Sequence, residues 1–232
     1  MARQVPAPAA TYYTHPRFTP VSKLTAPIHT YMYYMALARL RLVNALQRHL
    51  PRSGRLLEVG SGNGSSLNVL AYNFREWKIQ PSEVDTQVLP KLTEAAARWS
   101  NVSEPALLDV TAPADSWPVD PPFDCVLAVN VVHYAPPLAM RGLFLGADRL
   151  LRTGGKLCVY GPFLRPGKPR SFGSRLFDAA LWLKNPGYGI RSTQELLDAS
   201  LDTPLTCSAV ETVARDREDL LCMVFTKGSP ES

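Results

Sequence analysis

The chain has 232 residues, 46% of them apolar, which is enough for one ordinary-to-large domain with its own core. Its formal net charge of +5 is unevenly placed: residues 1–57 hold eight Lys/Arg and no acidic residue, so the remainder is net negative. No stretch approaches the ~18 uninterrupted apolar residues of a membrane span and no apolar signal core opens the chain, so a cytoplasmic protein with no membrane partner is expected.

An acid-free, arginine-bearing N-terminus also occurs in organelle transit peptides, but prolines at 6, 8, 16, 20 and 27 interrupt any amphipathic targeting helix. The basic segment contains no nucleic-acid module and reads as a solvated helix face or a lid over an anionic ligand. Cys125, Cys158, Cys207 and Cys222 sit in separate apolar runs, with no CxxC pair and no His cluster. Reduced, buried thiols are expected, and no metal site.

Residues 1–26 are rich in Pro, Ala and Thr and are expected to form an irregular arm. From Ile28 to Leu50, apolar residues recur at three and four (Tyr31, Tyr34, Met35, Ala38, Leu42, Ala45, Leu46, Leu50), an amphipathic helix ended by Pro51. Tyr31, Tyr33 and Tyr34 there either pack in the core or cover a ligand. After Gly54 the chain alternates strand and helix. Strands are expected at 55–60, 76–83, 104–110, 123–130 and 156–163, with helices at 65–74, 86–99 and 138–151 between them and a TGG turn at 153–155. Such alternation implies a parallel sheet covered on both faces, with ligands collecting at the carboxyl ends of its strands. Residues 164–190 form a Pro/Gly-rich insertion around a short helix, then comes a helix at 193–199. Two strand-like runs, 206–215 and 220–228, close the chain as a hairpin at the sheet edge.

The first strand ends in LLEVGSGNGSS, residues 56–66. A dinucleotide fold asks for GxGxxG, whereas Gly60, Gly62 and Gly64 give GxGxG with Glu58 two residues ahead. A carboxylate there is unhelpful beside a pyrophosphate and suits a ligand carrying an ammonium or sulfonium. Glu83 closes strand two, where a carboxylate can accept both hydroxyls of a ribose. Asp109 ends strand three, where it can accept from an adenine amino group with Val110 beside the ring. Asn130 ends strand four at the rim where the reacting part of a ligand lies. Each carboxylate alone reads as a helix cap; together and in order they read as a cofactor pocket.

The set LLEVGSGNG, PSEVD, LLDV, FDCVLAVNVVHYAP and LLRTGGKLCVYGPF resembles the class I S-adenosylmethionine-dependent methyltransferases over residues 54–163. The resemblance implies a Rossmann-like α/β fold with a seven-stranded, mostly parallel sheet, its last strand antiparallel, and helices on both faces. It implies S-adenosyl-L-methionine as cofactor, with its methionine part on Glu58 and the loop Gly60, Ser61, Gly62, Asn63 and Gly64. Glu83 would hold the ribose and Asp109 the adenine, with Asn130 and His133 near the sulfonium. WKIQPSEVD, LLDVTAP, NVVHYAP, VYGPF and FDAALWLKNPGYGIR are further similar to a subfamily of small methyltransferase-like proteins of unknown function, over about residues 50–227. The chain departs from that subfamily's AAERN near the N-terminus, and it has DREDLL where members carry an Asn-Asn pair. Both departures fall where a substrate would border, so the acceptor does not transfer with the cofactor.

On this reading residues 1–53 are an arm and lid helix and residues 54–228 the cofactor-binding domain, with 164–190 as a substrate lid. His133 is the first candidate for a base, or a packing residue. Tyr160, with Tyr134, either hydrogen-bonds an acceptor or packs. Arg191 either takes a substrate carboxylate or pairs with Asp178. Arg165, Lys168, Arg170 and Arg175 read as a solvated loop. The expected reaction is methyl transfer to a small organic molecule, one that carries a carboxylate if Arg191 binds it; the alternative is a protein that binds the cofactor without transferring a methyl, as an assembly or regulatory factor or as a catalyst of cyclisation or rearrangement.

Overall fold

The computed structural model describes residues 39–229. The arm, the aromatic start of the first helix, His15 and His29 lie outside the described residues. Helix α1 is present at 39–49 and buries Leu42, Ala45 and Leu46 of the stripe its periodicity predicts, with Val43 besides. Strand β1 (Gly54–Val59) follows, then α2 (Ser65–Asn73), β2 (Trp77–Glu83), α3 (Leu89–Ala96), β3 (Ala106–Leu107), β4 (Phe123–Val129), α4 (Pro137–Leu150), β5 (Leu151–Pro162), α5 (Phe172–Lys184), α6 (Thr193–Ser200), β6 (Leu205–Thr212) and β7 (Leu220–Lys227). The sheet runs β3-β2-β1-β4-β5-β7-β6. The first five strands are parallel, and β7 runs antiparallel to both β5 and β6, so the terminal hairpin inserts its second strand inward and leaves β6 at the edge.

Alternation along the strands sends apolar side chains to two cores. Leu57, Val126 and Val159 meet Leu143, Phe144 and Ala147 of α4 on one face. Leu56, Leu127 and Cys158 meet Leu46 of α1 and Leu67 and Leu70 of α2 on the other. All four cysteines are free; Cys125, Cys158 and Cys222 are buried on that second face as expected.

Two elements differ from the sequence reading. Strand three was expected over 104–110 but pairs only at Ala106 and Leu107. The odd residues of β2 turn their polar groups outward to that strand: Ile79 donates to Asn101 and accepts from Ser103, and Glu83 accepts from Leu108. Pro81 falls in the same set and has no N–H, so the ladder breaks between the bridge at Val102 and the pair at Ala106. The TGG stretch is a bulge inside β5 rather than a turn before it: register jumps from Phe123↔Leu151 to Cys125↔Lys156, with Gly154 at φ 75.

Candidate active site

The carboxyl ends of β1, β2 and β4 meet at the glycine loop. Gly60, Gly62 and Gly64 all have positive φ (66, 55 and 78), a conformation costly for any other residue. A Cβ on Gly60 would lie 2.8 Å from Val131, and one on Gly64 2.7 Å from Ala95, so these two let the loop seat against the turn after β4 and against α3. A Cβ on Gly62 would meet nothing within 4 Å. The bare backbone there faces open space, where a ligand can come close. Ser61 is buried, accepts from the Ser82 N–H and ties the loop to β2; Asn63 is exposed and accepts from Ser65.

Glu58 is only 1% exposed. Its Oε1 accepts from the Ser66 hydroxyl at 2.5 Å, while its buried Oε2 has no hydrogen-bond partner among the described residues. Burial pushes its carboxyl above the ordinary value, against the pull of the Ser66 and Ser61 hydrogen bonds. Ser66 escaped the sequence reading, although its place in the first turn of the helix after Gly64 was the available signal. Glu83 is buried and held by three backbone N–H groups: Gly62 on Oε2 at 2.8 Å, and Val84 and Asp85 on Oε1 at 2.8 and 3.1 Å. It thus locks the glycine loop to the end of β2. Asp109 is exposed two residues beyond β3 and accepts from the N–H and hydroxyl of Thr111. Asp109 lines an open cleft of about 320 Å³ with Val84, Thr86, Leu107, Trp117 and Pro118. Val84 and Leu107 are exposed there, two apolar walls beside the two carboxylates. Val110 instead points into the core.

Asn130 takes a left-handed conformation (φ 61) and donates its N–H to Tyr160 O. Gly161 explains the fit around it, because a Cβ there would lie 2.8 Å from both Asn130 Oδ1 and His133 Nε2. His133 is 0% exposed and packs against Phe163 and Phe177 at centroid distances of 5.0 and 6.2 Å. Burial first, then the Arg191 charge, push its pKa down to about 3. Its Nδ1 accepts the Arg191 N–H at 3.4 Å, and the ring is neutral in this setting. Of the two readings the sequence left open for His133, base or packing residue, the structure places a buried imidazole packed between two phenylalanines.

Arg191 also has another place than expected. Its guanidinium donates to the carbonyls of Val132, Ala135 and Gly187, clamping the turn after β4 to the insertion. Asp178 pairs instead with Arg170 at 2.6 Å and accepts from the Ile190 N–H. Tyr160 and Gly161 are neighbours on a strand and point to opposite faces. Tyr160 lies with Leu46 and Cys222 in the second core, away from His133, and burial raises its phenol, with Cys222 adding to the shift. The structure thus joins His133 to Arg191 and separates both from Tyr160.

A model of the family described as "Protein of unknown function (DUF938)" matches residues 35–218. Among solved structures, the chain is similar to geranyl diphosphate C-methyltransferase from Streptomyces coelicolor A3(2), with a TM-score of 0.60 at 15% identity over 80% of this chain and 75% of that one. Human N-acetylserotonin methyltransferase gives a TM-score of 0.62 at 11% identity over 75% of this chain and 48% of its own. An O-methyltransferase family protein from Burkholderia thailandensis gives 0.64 at 14% identity over 90% and 57%. The chain spans about half the length of these last two. At such identities the likeness establishes the fold and leaves chemistry to the residues. By its match over most of its length, this chain, with its Rossmann-like methyltransferase fold, belongs to the family described as "Protein of unknown function (DUF938)".

Proposed function

We propose that the chain binds S-adenosyl-L-methionine across the ends of β1 to β4 and transfers its methyl group to a small organic acceptor. The observation that carries this reading is the buried Glu58 carboxyl, whose Oε2 has no partner among the described residues, two positions ahead of three positive-φ glycines. A buried acidic group in that position is costly unless a cation meets it. The cofactor supplies an already activated methyl on a sulfonium, and an ammonium besides. The chain's own residues bind and orient: Gly62 leaves the backbone open, Glu83 and Asp109 offer carboxylate oxygens for ribose hydroxyls and an adenine amino group, and Val84 and Leu107 flank the purine. Geranyl diphosphate C-methyltransferase in complex with S-adenosyl-L-homocysteine and N-acetylserotonin methyltransferase in complex with S-adenosylmethionine support the same reading.

His133 is buried with its pKa pushed down, which makes it a weak proton acceptor, and Arg191 is spent on backbone carbonyls. The acceptor is therefore one that attacks without first losing a proton to these side chains, such as an amine or a carboxylate. The same absence favours a second reading, in which the cofactor is bound and no methyl is transferred. Incubation with methyl-labelled S-adenosylmethionine and a fraction of small cell metabolites separates them. Labelled product with matching S-adenosylhomocysteine is expected; tight cofactor binding with no product from any fraction supports the second reading instead.

A further inference from the structure

Helix α5 is amphipathic and turned the wrong way out. It buries only Ser174 and Leu181. Phe172, Leu176, Trp182 and Leu183 are 80%, 63%, 59% and 77% exposed. Phe172, Leu176, Ala179 and Leu183 fall at i, i+4, i+7 and i+11, one stripe about 17 Å long on the outer face. Arg175 and Lys184 stand on its two shoulders, and Arg165, Lys168 and Arg170 precede it. From 164 to 191 the only acidic residue is Asp178, already engaged by Arg170 and the Ile190 N–H. Arg175 makes no ion pair among the described residues and, with Trp182, lines an open depression on one shoulder.

We propose that this face docks on an anionic lipid surface, with the apolar stripe entering the interface and Arg175 and Lys184 meeting acidic headgroups. Charge selects the occupant. Residues 1–38 carry Arg3, Arg17 and Lys23 and no acid, so the remaining segment of the chain is like-charged with the stripe. A second copy meeting it symmetrically brings the same cations face to face. A bilayer supplies apolar depth and negative charge together, and a convex ridge needs no preformed groove in a fluid partner. Trp182 sits at the shoulder, where an indole keeps its N–H among headgroups. No described helix is long and apolar enough to cross a membrane, and a helix lying on one requires no such run.

The test is sedimentation of the full chain with vesicles of mixed phosphatidylserine and phosphatidylcholine, against phosphatidylcholine alone. Binding to the anionic vesicles only is expected, with a blue shift of tryptophan emission that disappears in Trp182→Phe. Leu176→Glu with Leu183→Glu lowers the bound fraction roughly tenfold or more, and Arg175→Gln with Lys184→Gln does so to a similar degree. All four side chains are exposed and the two leucines lie on the outer face, so an unchanged melting temperature accompanies the loss in the Leu176/Leu183 variant, while Lys184→Gln also gives up the contact of Lys184 with the Tyr134 ring at 5.4 Å. Absence of binding by the wild-type chain, or equal binding by the Leu176/Leu183 variant, overturns the proposal. So does a wild-type dimer in solution that this variant abolishes, since the face is then an interface between copies, and so does capture by an acidic protein without vesicle binding.

Discussion

On the proposed reading, Glu58 is a buried carboxyl kept for a ligand at a cost to the fold. Its pKa is raised above 4.5 by burial, so the unfolded chain ionises first as pH rises, and the carboxyl weakens the fold progressively until its folded pKa is passed. Glu58→Gln should therefore melt higher than the wild type at pH 8 and show no such gain in acid, while losing roughly tenfold or more in affinity for S-adenosylmethionine. Thermal melts across pH, paired with a binding titration, check both halves. The glycines give a second contrast. Gly64→Ala meets strain and the Ala95 methyl together and should cost roughly 3 kcal/mol of stability. Gly62→Ala meets strain alone, roughly 1–2 kcal/mol, yet should weaken ligand binding more than its stability cost implies. Denaturant titration and calorimetry separate the two effects. Such residues were legible because glycine and an acidic residue in fixed order have few physical reasons to occur. The setting of His133 was less so, since its burial depends on Phe163 and Phe177 from distant parts of the chain.

At the scale of elements, the insertion is held by contacts that no local pattern announces. Asp219 accepts the Ser171 N–H at the start of α5, Arg217 donates to Ser174, and Lys168 pairs with Glu218. The DREDL turn, a departure from the subfamily pattern, is thus the latch of α5. Burial alone would raise the Asp219 carboxyl, but hydrogen bonds from Ser174 and Ser171 and the Arg217 charge bring it below 3.8. A depressed folded value means that the latch contributes fully above the unfolded value and is lost as pH falls through the folded one. Hydrogen exchange of residues 171–184 should accelerate in that acid window, and already at neutral pH in Asp219→Asn. Arg191→Ala removes three bonds to carbonyls and should cost roughly 3 kcal/mol, with Arg191→Lys a poor substitute because an ammonium lacks the planar fork. Strand and helix alternation was legible from period and turn residues. Strand β3 was overextended because the broken ladder follows from Pro81 on its neighbour, and the inverted face of α5 was hidden because periodicity reports a stripe without saying what it meets.

For the whole molecule, the sheet order places the glycine loop, Glu83 and Asn130 at adjoining strand ends, and the solved structures agree with that architecture. The fold was legible because each strand end carries a distinctive residue; the settings of Tyr160, His133 and Arg191 were not, since they follow from how the sheet and the insertion distribute them over two faces. The central claim is that these strand ends form a working site for a sulfonium cofactor. Calorimetric titration of the folded chain with S-adenosylmethionine and S-adenosylhomocysteine, repeated on Asp109→Ala, tests it most directly. Asp109 is exposed and its carboxylate bonds only the neighbouring Thr111 among the described residues, so its loss leaves the fold intact. The account predicts micromolar binding of both ligands by the wild type and at least a roughly tenfold loss in the variant. A folded wild-type chain that takes up neither ligand would contradict it.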